Sequence, residues 1–251
     1  MDRVKTGIVG LDELIQGGIP REHVVLLSGE TGTGKTILAM QFIVRGAIDN
    51  NERGMFISFE QSRDSIIQQT KAFGWDVEEL EKQNKLKLVT HNLAKENFKL
   101  LDEKLEKDIT DFKPDRLVID SLSAYGVFAE LLSFLELISD LNMKSEEIPL
   151  STTPESVVRK AVLNFIDKIR SYNTTAILIT ELPEKGEFLS RDTVSEFLSD
   201  SIILLRYLGI GPTQSRKLQI RKMRHSSHRI DPISYTIDNN GITISKEEKF
   251  M

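Results

Sequence analysis

One short stretch near the start of the chain has the residue types and spacing needed to hold a chain of phosphates. Gly29-Glu30-Thr31-Gly32-Thr33-Gly34-Lys35-Thr36 fits G-x-x-x-x-G-K-[ST], with the apolar run Val24–Leu27 before it and a helical pattern over Lys35–Ala47 after it. Glycines let such a loop curl until its N–H groups point at phosphate oxygens, and the helix that follows adds its positive N-terminal end. The set expected to line the ligand is Gly29, Thr31, Gly32, Thr33, Gly34, Lys35, Thr36 and Ile37. Lys35 is expected to reach the β- and γ-phosphates, and the Thr36 hydroxyl to bind Mg²⁺. The ligands expected from this motif are therefore ATP and Mg²⁺.

Two carboxylates follow apolar runs of strand length. Asp120 ends Leu117-Val118-Ile119-Asp120. At the carboxyl end of a buried parallel strand it would share a sheet edge with the phosphate loop and help hold the Mg²⁺, directly or through a water. Standing alone it would read as a helix cap; beside a phosphate loop the metal role is preferred. Glu60 follows Met55–Phe59. It is placed either to orient or deprotonate an attacking water or to cap the next helix, and the residues alone leave both open.

These side chains need a scaffold, and the pattern of the chain describes one. Short apolar runs at Val24–Leu27, Met55–Phe59, Leu117–Ile119, Ala176–Ile179 and Ile202–Leu205 lack period-two alternation, as strands buried on both faces do. Helical patterns over Lys35–Ala47, Asp64–Phe73, Leu100–Phe112 and Pro154–Tyr172 alternate with them. The expected fold is α/β: a mostly parallel sheet flanked by helices. After Leu205 the pattern turns alternating, over Lys217–Arg224 and Ser234–Ile237, and Asn239-Asn240-Gly241 marks a hairpin before Ile242–Ile244. An antiparallel C-terminal extension is expected there. With 251 residues and no Pro/Gly/Ser-rich linker, a single domain over residues 1–251 is expected.

Composition narrows the function classes. The 39% hydrophobic and 28% charged residues fit an ordinary globular protein. The absence of cysteine excludes thiolate metal sites, disulfides and thiol catalysis. The start lacks the apolar stretch of a signal peptide, and no apolar run approaches bilayer length, so a cytoplasmic location without membrane contact is expected.

Beyond the phosphate loop, the order of motifs resembles RecA/RadA-type ATPases, and above all a single KaiC repeat. Thr6-Gly7-Ile8-Val9-Gly10-Leu11-Asp12-Glu13-Leu14 and Gly17-Gly18-Ile19-Pro20 resemble the opening of that family. Phe59-Glu60, Asp120-Ser121, Thr180-Glu181, Ser195–Asp200 and Lys222-Met223-Arg224-His225-Ser226-Ser227-His228 follow in the same order. The resemblance implies a RecA-like fold, a water-activating role for Glu60, and self-association into a hexameric ring with shared ATP sites. It places Lys222 and Arg224 where such subunits reach into a neighbour's site, and His228 near the neighbour's nucleotide. Two cations separated by one residue share one strand face, which agrees with that role. A charged edge strand is the plainer reading.

Some features depart from the family. Gln61 stands where KaiC often has a second Glu, and Glu196-Phe197 replaces the phosphorylated Ser-Thr pair of the second KaiC repeat, so an autophosphorylation clock is not expected. Val127–Thr153 is longer than the corresponding family segment and carries apolar residues mainly at helical spacing. An extra packed helix and a face for a protein partner are the two readings. Three functions compete: a homo-oligomeric ring ATPase that drives or times partner interactions, a nucleotide-dependent interaction module with little hydrolysis, and a DNA-binding recombinase paralogue. Charge disfavours the third, because the segments at the pore-loop positions are acidic. The first holds Glu130, Glu136, Asp140, Glu146 and Glu147 against Lys144, and the second Glu184, Glu187, Asp192 and Glu196 against Lys185 and Arg191.

Overall fold

The computed structural model describes residues 2–93, 97–140, 154–183, 188–209 and 214–245. A short ribbon of β1 (Arg3–Val4) and β2 (Ile19–Pro20), with helix α1 (Leu11–Leu14) between them, precedes the main sheet. In the parallel part come β3 (Val24–Gly29), α2 (Lys35–Asp49), β4 (Gly54–Ser58), α3 (Arg63–Ala72), α4 (Val77–Lys82), β5 (Leu86–Thr90), α5 (Phe98–Phe112) and β6 (Arg116–Asp120). Then follow α6 (Leu122–Asp140), α7 (Pro154–Ser171), β7 (Thr175–Glu181), α8 (Ser195–Leu198) and β8 (Ser201–Leu208). The chain continues through β9 (Ser215–Met223), β10 (Ile233–Asp238) and β11 (Gly241–Ile244).

Among the described residues the main sheet has nine strands in the order β11-β10-β9-β8-β3-β7-β6-β4-β5. From β8 to β5 the pairings are parallel, and from β8 to β11 antiparallel. The expected α/β sheet with an antiparallel extension is therefore what forms.

Two hydrophobic layers explain why the central strands read as unbroken apolar runs. Val25, Leu27, Phe56, Val118, Ile177 and Ile203 pack on one face with α2. Val24, Leu26, Met55, Leu117, Ala176 and Leu178 pack on the other with α5, α6 and α7. Every one of these side chains is at most 1% exposed, and burial of each one larger than alanine contributes about 1.5–3 kcal/mol.

The extension is locked to the layer that carries the phosphate loop. Buried Gln41 of α2 accepts a hydrogen bond from Ile242 N at 2.6 Å and donates to the carbonyls of Gly7 and Ile242. Gly241, at φ +108°, lets β11 approach this close: a Cβ there would lie 2.3 Å from Gln41 Oε1. The expected hairpin turn joins β10 to β11, with Asp238 Oδ1 accepting from Asn240 N at 2.7 Å.

Candidate functional site

Parallel strands bring their carboxyl ends to one edge, and register aligns the residues found there. Gly29 pairs with Glu181, and Ser58 pairs with Asp120. The loop after β3 turns directly into α2, with Gly32 at φ +79° and Gly34 at φ +95°. A Cβ on Gly34 would meet Ile237 Cδ1 at 2.7 Å, so the loop lies against the antiparallel extension. Two tyrosines hold it from that side: Tyr207 OH donates to Gly32 O at 2.7 Å, and Tyr235 OH to Thr33 O at 2.5 Å.

A cleft of about 260 Å³ opens above this edge, lined by Thr31, Gly32, Gly34, Lys35, Thr36 and Ile37 of the loop and by Glu60 and Asp120. Thr33 is buried instead, its hydroxyl donating to Glu30 O at 2.7 Å. Lys35 Nζ donates to the carbonyls of Gly29 and Glu30, at 2.8 and 3.0 Å. Burial lowers the pKa of this ammonium, and Glu181, Asp120, Glu60 and Glu30 oppose that shift.

Thr36 Oγ1 donates to Asp120 Oδ2 at 2.8 Å. Asp120 is 2% exposed, and burial pushes its carboxyl up to about 6, with the Glu60 charge adding and the Thr36 bond and Lys35 opposing. A buried carboxylate beside a hydroxyl is a hard-oxygen donor pair suited to Mg²⁺. Among the described residues no group of three or more His, Cys, Asp or Glu is gathered for a metal.

Glu60 stands just past β4. The Ser58 hydroxyl accepts from Glu60 N and Gln61 N, turning the chain there, and the Ser121 hydroxyl donates to Glu60 Oε1. Ser62, not Glu60, caps α3 by accepting from Ser65 N. Gln61 accepts from Ser65 Oγ at 3.3 Å.

Lys222, Arg224 and His228 lie elsewhere. Met223 pairs with Ser201, and Ser201 with Val25, so Lys222 and Arg224 flank the amino end of β3. The four residue steps from Val25 to Gly29 span about 13 Å, and the phosphate loop lies beyond that. Lys222 Nζ donates to the carbonyls of Glu196, Phe197 and Ser199, the last at 2.6 Å. Arg224, one residue past β9, pairs with Asp200 at 3.2 Å. His228 is half-buried in the following segment, which Arg3 fastens through Ser226 Oγ at 2.8 Å.

Several site residues have roles that sequence alone does not assign, although Ser121 and Glu181 lie within the motifs named above. Tyr207 and Tyr235 touch the loop only through the folded sheet, Ser121 reaches Glu60 across two strands, and Gln69 and Glu181 line the cleft. Of the segment Val127–Thr153, residues 127–140 continue α6, and residues 141–153 lie outside the described residues. Val127 and Leu131 are about half exposed, whereas Phe128 is buried. In the second acidic segment, residues 184–187 lie outside the described residues. No helix among the described residues is long and apolar enough to cross a membrane.

A glycine-rich loop between β3 and α2, with an Asp at the end of a nearby parallel strand, defines a P-loop nucleotide-binding protein of RecA-like fold. The family model described as KaiC ATPase matches residues 4–133 and 146–249, and the chain belongs to that family as a single KaiC-type domain. The circadian clock oscillator protein KaiC of Parathermosynechococcus lividus is 29% identical over 248 residues, covering 96% of this chain and 42% of that protein. The protein of the same name from a Picosynechococcus species is 31% identical over 252 residues, covering 97% of this chain and 44% of its own length. The chain thus spans under half the length of these curated relatives. A crystal structure of a KaiC-like protein from the hyperthermophilic archaeon Pyrococcus horikoshii matches with a TM-score of 0.79 and 32% identity, covering 98% of this chain and 99% of that one. Membership of this family implies ATP binding.

Proposed function

We propose that this chain binds Mg-ATP in the cleft above β3, hydrolyses it, and works as a self-assembled ring whose turnover drives or times contacts with partners. The observation that carries the reading is the convergence of Lys35, Thr36, Asp120 and Glu60 on one sheet edge, with Thr36 bonded to Asp120 and Glu60 bonded to Ser121. Loop N–H groups and the start of α2 cradle the phosphates. Lys35 exchanges its two carbonyl partners for phosphate oxygens. Thr36 and Asp120 hold Mg²⁺, which when bound neutralises charge developing on the phosphates. Glu60, oriented by Ser121, accepts the proton of the attacking water as the bond from the β,γ-bridging oxygen to the γ-phosphorus breaks.

The ring is supported by the placement of Lys222 and Arg224 at the sheet edge opposite the cleft. In one chain they stand too far from the loop to touch its γ-phosphate. Presented to a neighbour, they supply the trans cations that an arginine finger supplies. The test is mass in solution with and without Mg-ATP, read together with steady-state hydrolysis. A Mg-ATP-dependent rise in mass, with specific activity growing with protein concentration, is expected. A monomer with concentration-independent turnover counts against the ring, and absence of hydrolysis in every oligomeric state counts against the enzyme.

A further inference from the structure

We infer that Asp200 is the positioning residue for Arg224, fixing its guanidinium at the sheet edge for use by a neighbouring subunit. The inference rests on the shared-site reading above and adds a residue to it. Asp200 sits in the corner between α8 and β8, with its side chain 17% exposed. Its backbone N–H donates to Val24 O at 2.9 Å, and its carbonyl accepts from Arg224 N at 3.0 Å. One carboxylate oxygen accepts from Val24 N at 3.1 Å. The other lies 3.2 Å from Arg224 Nη1 and 3.4 Å from Arg170 Nη2. Asp200 therefore grips Arg224 through main chain and side chain at once, and anchors both to the first residue of the strand that carries the phosphate loop at its far end.

Arg224 and Lys222 are held in different ways. Lys222 Nζ is tied to three backbone carbonyls of residues 196–199, an arrangement that needs no carboxylate. Among the described residues Arg224 takes its aim from one charged partner, and it remains half exposed. A charge-assisted bond to a largely buried carboxylate restricts a long side chain that would otherwise sample many rotamers. Its value to a neighbour's reaction lies in that restriction, because a small displacement of a transition-state contact costs roughly 10²-fold in rate. Arg170 shares the carboxylate and also donates to Leu198 O, so it braces α7 against the same corner.

The experiment compares Asp200→Asn with variants that remove one side or the other of the shared site. Asparagine keeps an oxygen for Val24 N and removes the charge that holds Arg224. Asp200→Asn alone should lose roughly tenfold or more in kcat with little change in KM for ATP, since Arg224 acts on the neighbour's transition state. Adding it to Arg224→Ala should cost nothing more. After subunit exchange, Asp200→Asn mixed with Glu60→Gln should regain activity, because one supplies an intact base and the other an intact cation pair. Mixed with Lys222→Ala/Arg224→Ala it should regain none, because both carry the same defect. Wild-type turnover in Asp200→Asn overturns the inference. Failure to recover with Glu60→Gln, while Lys222→Ala/Arg224→Ala does recover with it, also overturns it and marks Asp200 as purely structural. If that control pair itself regains nothing in confirmed mixed oligomers, the shared-site reading falls and this inference with it. Should thermal melting show Asp200→Asn unfolded, Asp200→Glu, which keeps the charge one methylene displaced, is read through the same pairings.

Discussion

Thr36 Oγ1 donates to Asp120 Oδ2 across 2.8 Å, joining the first turn of α2 to the carboxyl end of β6. The bond links the two residues that the account assigns to Mg²⁺, and it partly offsets the cost of burying Asp120. That cost is visible in a carboxyl pushed up from 3.8 to about 6, chiefly by burial.

The first prediction follows from this shift. Because the folded-state value lies above the ordinary one, ionised Asp120 lowers stability above about pH 6, and the cost is relieved as pH falls from 6 toward 4. A shift of this size corresponds to about 3 kcal/mol at pH 8. In metal-free protein, Asp120→Asn should therefore melt higher than wild type at pH 8, with the difference about halved by pH 5 and closing toward pH 4. Parallel melting curves for the two proteins across that range would show that Asp120 carries no such cost.

Lys35→Ala should abolish ATP binding and leave the fold in place. Its ammonium is held by two backbone carbonyls of the loop, and its removal takes away those two bonds. What is lost is the charge-assisted contact to the phosphates. Calorimetry finding unchanged ATP affinity in a folded Lys35→Ala protein would contradict the phosphate-loop assignment.

At the opposite end of β6, Arg116 is fully buried, its Nε donating to Glu52 Oε2 at 2.7 Å and its Nη1 to Phe42 O at 2.7 Å. Gly46 of α2 makes the room, since a Cβ there would lie 2.2 Å from Arg116 Nε. Glu52→Ala should cost about 3–5 kcal/mol by leaving a buried guanidinium without its counter-charge. The double variant Glu52→Ala/Arg116→Met should regain part of that loss. Denaturant melts in which the double variant is the less stable would show that packing by Arg116, rather than charge pairing, dominates.

Legibility in the sequence followed the range of the interactions. The phosphate loop is set by residues within eight positions of each other, and the Asn239-Asn240-Gly241 turn within three, so both could be read directly. Asp120 and Glu60 were visible as acids after apolar runs, but Glu60 had a second reading as a cap; in the fold Ser62 caps α3 and Glu60 faces the cleft. β5 offers no unbroken apolar run because Lys87 falls between Leu86 and Leu88, as suits a strand at the sheet's edge. The start of α6 directly after β6, the tyrosine bonds to the loop and the carbonyl cap on Lys222 depend on contacts that no local spacing encodes.

The central claim is that the carboxylate held by Ser121 activates the attacking water, and steady-state phosphate release by Glu60→Gln at saturating Mg-ATP tests it most directly. Glutamine preserves the shape and can still accept the Ser121 hydroxyl bond, but it cannot take a proton. The account predicts that ATP still binds and that turnover falls by about 10²-fold or more. Turnover equal to wild type would contradict it, leaving Glu60 as a structural partner of Ser121.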